Sequence, residues 1–182
     1  IVSRMHKASI LTGTGPMAAV AGVNAQLAAE AAVASGADEA IIENGGDIYI
    51  FARQETSIAL YAGEGPLSGR LAVKIIPGMT PLSVCSSSGR MGHSISFGDC
   101  DLATVTSCDG ALADAAATLA CNLVKSENDI QSALERITAI KGVQGVLIVK
   151  NDKIGIAGSF PEIVKNLDKS TAGKITKDIS LF

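Results

Sequence analysis

Among the side chains able to do chemistry, Asp114 stands in the most demanding setting. From Gly110 to Val124 it is the only charged residue, set among Ala111, Ala113, Ala115, Ala116, Ala117 and Leu119. Such small neighbours predict a helix packed closely on its surroundings. An ionised carboxylate there costs on the order of a few kcal/mol unless a cation or several donors compensate it. Thr118 follows four residues later, so hydroxyl and carboxylate share one helix face. Two hard oxygen donors beside an open cavity suit Mg²⁺, which takes one or two carboxylates, neutral oxygens, waters and substrate phosphates. The same spacing equally fits a Thr118 hydroxyl bonded back to the Asp114 carbonyl, with the aspartate satisfied by backbone donors in the core. Both readings stand at this level.

Three further segments carry usable groups. Ser86, Ser87, Ser88, Gly89 and Arg90 offer hydroxyls, a flexible glycine and a guanidinium, a combination that suits phosphate or carboxylate and also describes an ordinary serine-rich turn. His93 lies between Gly92 and Ser94; it could move a proton near neutral pH or be a satisfied structural group. Asn44, Gly45, Gly46 and Asp47 read either as a hairpin turn or as a place where bare backbone comes close to a ligand. His6 and the cysteines carry no such signal.

These groups need elements to position them. Pro16 and Gly36 bracket a small-residue helix whose only charge is Glu30, and its scarcity of polar positions predicts that it lies mostly buried. The polar run from Thr12 to Pro16 interrupts the apolar stretch before it and argues against a membrane span. Strands are expected at 39–43 and 47–52 around the Asn44-Gly45-Gly46 turn, then at 56–62, 70–76, 83–86 and 102–106. Asp109 is the expected N-cap of the Asp114 helix, and Ser126 can cap the next, where Ile130, Ala133, Leu134, Ile137 and Ile140 recur at helical spacing. A strand to Val149, a turn at Asn151 and Asp152, and a strand from Lys153 to Ala157 then repeat the earlier order of helix, glycine, strand, turn, strand. That repeat suggests an internal duplication of a helix-plus-hairpin unit within an α+β architecture. The polar stretch 161–182 is expected to be a loosely packed tail.

Composition narrows the function classes. The 182 residues suit one domain, and with 3% aromatic residues and no Trp the core must rely on aliphatic and Ala/Gly contacts. A net charge of -3 without a basic run gives no footprint for nucleic acid. Cys85, Cys100, Cys108 and Cys121 form no disulfide or zinc pattern and read as free thiols in a reducing, cytoplasmic setting. The chain starts without Met, so a preceding segment is expected to be missing.

As an ordered set, Asn44-Gly45-Gly46-Asp47-Ile48, Ser87-Ser88-Gly89, His93 and the Ala113 to Thr118 helix resemble the motifs of the ApbE family of FAD:protein FMN transferases. More closely, GPMAAVAG and the run from Ser86 to Thr118 resemble an uncharacterised family of short ApbE-like proteins, over about Gly15 to Val149. The resemblance implies a T-fold-like α+β domain with antiparallel sheets and helices on one side. It further implies Mg²⁺ on Asp114 and Thr118, flavin or diphosphate contacts from Asn44, Gly45, Gly46, Asp47, Ser87, Ser88 and Gly89, and His93 as the proton-transfer group. FAD or FMN would be the cofactor, another anion an alternative ligand, and a client protein the acceptor. The D-P-x-T-G segment of the transferases is replaced here by Ser96 to Cys100, and their N-terminal flavin-binding segment has no counterpart before Ile1. The expected activity is FMN transfer or pyrophosphate cleavage; a non-catalytic ligand-binding or scaffold protein of the same fold is the alternative. A homo-oligomer is left open.

Overall fold

The structure, a computed structural model, describes residues 1–63, 69–89 and 97–168. Its centre is a six-stranded antiparallel sheet. The Asn-Gly-Gly segment makes the expected hairpin between β1 (Ala40–Asn44) and β2 (Asp47–Phe51), with Gly45 and Gly46 at φ of 66° and 101°, the positive values a tight two-residue turn demands. β5 (Leu82–Ser87) follows beside β2, then β6 (Leu102–Ser107), β7 (Val143–Lys150) and β8 (Lys153–Gly158), giving the order β1-β2-β5-β6-β7-β8. A second, three-stranded sheet contains β3 (Thr56–Leu60), β4 (Leu71–Ile75) and β9 (Ile163–Lys165).

Alternation along the strands explains the layering. Val146 and Ile148 of β7, with Ala103 and Val105 of β6, meet the helices on one face; Leu147 and Val149, with Ile50, Leu82 and Val84, meet Leu60, Val73 and Ile75 of the small sheet on the other. Central strands covered on both faces lose the polar half of the usual alternation, and every residue of β6 is buried. The helices α2 (Val20–Ala34), α3 (Gly110–Leu123) and α4 (Ile130–Thr138) cover β1–β2, β5–β6 and β7–β8 in turn. A helix with its hairpin therefore stands at each end of the large sheet.

Asp109 caps α3 as expected, its Oδ1 accepting from the N–H groups of Ala111 (3.0 Å) and Leu112 (3.2 Å). Ser126 and Asp129 form a capping box ahead of α4. Three features depart from the sequence expectations. Residues Val2–Thr12 form a helix, α1, which lays Met5 and Ala8 against Ala111 and Ala115 of α3. Sheet on one side and α1 on the other explain why α3 is apolar nearly all round. The second departure is α2, which buries only Gly22, Val23, Ala25, Gln26 and Ala29 and leaves its outer face open. The stretch Pro16–Ala34 is long and apolar enough to cross a membrane by length and composition, yet here its inner face packs on β1, β2 and α3. Third, Ile163–Lys165, inside the stretch expected to be loosely held, pairs with β4.

Candidate functional site

The site grows from the crossing of α2 and α3. Gly22 and Gly110 meet there so closely that a Cβ on Gly22 would lie 2.2 Å from the Gly110 carbonyl oxygen, and one on Gly110 would lie 2.5 Å from that of Gly22. This approach brings the backbone of the first turn of α2 onto Asp114, and the Gly22 N–H donates to Asp114 Oδ2 at 2.8 Å. No side chain of its own caps α2, whose N-cap is Ala19, so one of the orphan donors of its first turn is satisfied by a carboxylate from α3. Asp114 is 8% exposed. Burial raises its pKa to about 6, against the opposing pull of the Gly22 and Ala21 N–H groups.

A second carboxylate arrives from the hairpin. Asp47 opens β2 just after the glycine turn and is 6% exposed. Alternation puts it on the helix face with Tyr49, which packs on Ala25 and Ala29 of α2, while Ile48 and Ile50 face the small sheet. Its Oδ1 accepts from the Ser86 N–H at 3.3 Å, and the β2–β5 register, which pairs Ile48 with Val84, extends to set Asp47 beside Cys85. The Cys85 thiol lies 3.2 Å from Ser83 Oγ and donates to the Gly110 carbonyl at 3.8 Å. Burial and the negative charge of Asp114 push Asp47 well above the usual carboxylate range. The Cys85 thiol is also pushed up, by burial and then by the charges of Asp47 and Asp114. Among the described residues neither aspartate has an ion pair with Lys or Arg.

The remaining expected site residues fall into two groups. Asn44 donates through Nδ2 to the Ala21 carbonyl at 3.3 Å, tying the hairpin to the first turn of α2. Gly45 and Gly46 have nothing within 4 Å of where a Cβ would stand, and the Gly46 N–H donates to Glu43 Oε1 at 2.7 Å, so hairpin geometry accounts for both glycines. Thr118 is half-buried one turn from Asp114. It does not bond back to the Asp114 carbonyl as Thr12 and Thr138 do to Ala8 and Leu134, and its hydroxyl makes no hydrogen bond among the described residues. Ser87 and Ser88 are buried at the end of β5. Gly89 donates to the Cys100 carbonyl at 2.8 Å, and a Cβ on it would lie 2.5 Å from the Gly98 carbonyl oxygen. His93 and Arg90, with Ser96 of the Ser96 to Cys100 segment, lie outside the described residues.

The structure thus brings Asn44 and Asp114 to the first turn of α2, sets Asp47 beside Cys85 and Ser86 of β5, and leaves Thr118 one helical turn from Asp114. Gly22, Gly110 and Cys85 complete the assembly and were not singled out from sequence. For Gly22 a signal existed, a lone glycine inside an otherwise Ala-rich helix. An open recess of about 440 Å³ lies elsewhere, between the end of β7 and the start of α4, lined by Asp99, Lys125, Ser126, Glu127, Lys150 and Asn151 among others. Lys150 there donates to Asp99 Oδ2 at 2.7 Å.

Among the described residues no three His, Cys, Asp or Glu side chains converge as an all-protein metal cage. The donor set suits a different kind of ion. Two carboxylates, each with an oxygen held by a backbone N–H, and a neutral hydroxyl match Mg²⁺, which keeps waters and takes substrate oxygens.

Comparison with known proteins agrees with the architecture. A family model described as AbpE bacteria matches residues 1–156. A UPF0280 protein of Methanothrix thermoacetophila is 45% identical over 163 residues, covering 90% of this chain and 68% of that protein. The UPF0280 protein MJ1526 of Methanocaldococcus jannaschii is 38% identical over 180 residues, covering 96% and 72%. Among solved structures, the ApbE protein of Thermotoga maritima superposes with a TM-score of 0.57 at 17% identity, over 76% of this chain and 48% of its own. The apo flavinyl transferase ApbE of Pseudomonas stutzeri gives 0.54 at 16% identity, over 79% and 47%. The chain spans about half the length of these two solved proteins, with which it shares the fold.

Proposed function

The chain belongs to the family described as AbpE bacteria, and from that premise we propose that it binds a flavin or related diphosphate nucleotide together with Mg²⁺ at the Asp114 end of the sheet. The observation that carries this reading is Asp114 itself. Its Oδ2 is fixed by the Gly22 N–H, its buried charge has no cationic side chain among the described residues, and the Thr118 hydroxyl one turn away is uncommitted among them. Asp114 would hold the ion through acceptor sites that the Gly22 and Ala21 N–H groups leave free, with Thr118 as a neutral donor. When bound, Mg²⁺ neutralises the diphosphate and positions its phosphorus for attack. Ser87, Ser88 and Gly89 would bind the diphosphate or flavin side, and Asn44 to Asp47 would close the hairpin side of the site. His93 would take the proton of the attacking hydroxyl. With a client threonine or serine as nucleophile, FAD would yield an FMN-modified protein and AMP; with water it would yield FMN and AMP. The four free thiols accord with a cytoplasmic protein.

A second reading, a ligand-binding or scaffold protein that keeps the fold without transfer chemistry, is favoured by the capping of α2 by Asp114, which is a structural use of the same carboxylate. Titration of FAD into the full chain with and without Mg²⁺, beside Asp114→Ala, separates the two through flavin fluorescence and AMP release. Mg²⁺-dependent binding lost in the variant supports the site, and AMP release makes it an enzyme. Absence of flavin binding in either condition sinks the flavin assignment.

A further inference from the structure

We propose that Asp47 is a second carboxylate for the cation at Asp114, so that the ion joins the start of β2 to α3. This rests on the reading of Asp114 given above and assigns Asp47 a role distinct from flavin contact.

Three observations point the same way. Asp47 is 94% buried by its 6% residual exposure, and buried carboxylates are rare unless paired or metal-bound. Its backbone partner is the Ser86 N–H at 3.3 Å, beyond the usual range for N–H···O bonds, and its other polar neighbour is the Cys85 thiol, a weak donor. Finally, a second carboxylate lies across the Gly22–Gly110 crossing, where the Gly22 N–H donates to Asp114 Oδ2 at 2.8 Å. The Cys85 side chain touches both Asp47 and the Gly110 carbonyl at the start of α3, and the charge of Asp114 acts directly on Asp47.

Two acids in one buried space are relieved by a shared proton or by a cation between them. The polar setting favours the cation. Asp114 is held by the first turn of α2, whose dipole favours the ionised form, and an unengaged hydroxyl stands one turn away at Thr118. Glu43, on the same hairpin, is turned to the Gly46 N–H instead. Asp47 also sits where a ligand would have structural leverage, since Asn44 ties the same hairpin to the α2 turn that holds Asp114. An ion seated between the aspartates would therefore couple β2, α2 and α3.

The test titrates Mn²⁺, alone and with FAD, into the chelator-treated full chain, reading free Mn²⁺ by electron paramagnetic resonance. Melting temperature is followed in parallel. Asp47→Asn, Asp114→Asn and Thr118→Val are compared with wild type. We expect Asp47→Asn to weaken Mn²⁺ binding at least tenfold while melting no lower than wild type in chelator, because the isosteric amide removes an acid whose ionisation burial opposes and keeps the oxygen for Ser86. Affinity within twofold of wild type in Asp47→Asn, alongside loss in Asp114→Asn, overturns the assignment of Asp47 and leaves that of Asp114 standing. No Mn²⁺ binding by wild type in either condition overturns both and points to the shared proton. Should Asp47→Asn fail to fold, hydrogen exchange on wild type decides: Mn²⁺ is expected to slow exchange at Gly46 to Ile48 as well as along α3, and protection confined to α3 refutes the proposal.

Discussion

Replacing Gly22 by alanine tests the construction of the site from its weakest tolerance. On helix propensity alone the change would help, by about 1 kcal/mol, because glycine in a helix interior loses more backbone freedom than alanine. Gly22 has no positive φ to excuse it. Against that gain, its new Cβ would lie 2.2 Å from the Gly110 carbonyl oxygen and 2.7 Å from Asp114 Cβ. The nearest obstacle is backbone, so relief requires α2 and α3 to separate. Overpacking of this kind costs about 1–3 kcal/mol, and separation also stretches the Gly22 to Asp114 bond, a capping interaction worth about 1 kcal/mol. The balance is a loss of about 2 kcal/mol, or roughly 4–8 °C in Tm for a domain of this size. Urea unfolding at pH 7 in chelator measures it by far-UV circular dichroism, since the chain has no Trp to report by fluorescence. Gly78→Ala is the control: it has ordinary φ and nothing within 4 Å of the added Cβ, so it should be neutral or slightly stabilising. A Gly22→Ala protein as stable as wild type would mean that the two helices do not cross at Gly22 and Gly110, and the link from α2 to Asp114 would fall with it.

Two further outcomes follow from the same geometry. Because burial raises Asp114 from 3.8 to about 6, the native chain binds protons more tightly than the unfolded chain between those values; stability of the metal-free protein should therefore fall as pH rises through that window, by about 3 kcal/mol from this group. Asp47, also raised, acts in the same direction and Cys85 stays a neutral thiol, so Asp114→Asn should flatten part of the slope in urea midpoints from pH 4 to 7.5; an unchanged slope would refute the burial of an ionising Asp114. Asp109→Ala removes the acceptor for two N–H groups of α3 and should lower stability by about 1 kcal/mol, read as a fall of roughly 2–4 °C in Tm; no change would show that α3 does not depend on that cap.

Local chemistry made much of the fold legible. The Asn44-Gly45-Gly46 hairpin, the Asp109 cap and the Ser126 cap each rest on residues within a few positions of one another, and each appears in the structure. What escaped depends on partners distant in the chain. The helix α1 carries Arg4, His6 and Lys7, has no capping side chain, and is held by Met5 and Ala8 against α3 and by a two-pronged Arg4 to Glu30 ion pair. None of these contacts is written in residues 1–12. α2 is less buried than its composition suggests, because a run of alanines has no polar face to mark which side meets water. The three residues of β9 become a strand because β4 offers them an edge, which no window around Ile163 could reveal.

The candidate site divides along the same line. That Asp114 needed a partner was legible from its isolation among alanines; that the partner is the backbone of Gly22, 92 residues away, was not. Its two sequence readings, core aspartate satisfied by backbone and metal ligand, are not exclusive, because the N–H groups of Gly22 and Ala21 use two of the roughly four acceptor sites that a carboxylate offers. Structural use of Oδ2 fixes the group against a helix N-terminus, where backbone dipoles favour the anion, while burial opposes the anion and prevails, leaving the pKa near 6. A carboxylate poised there is mostly ionised at neutral pH, still costly to keep buried, and already held in one orientation. A carboxylate that served α2 alone would gain from a lower pKa and from no acidic neighbour. The presence of a second buried carboxylate at Asp47, where an Asn would serve the Ser86 N–H as well, is the feature that capping leaves without a reason and that the proposed cation would supply.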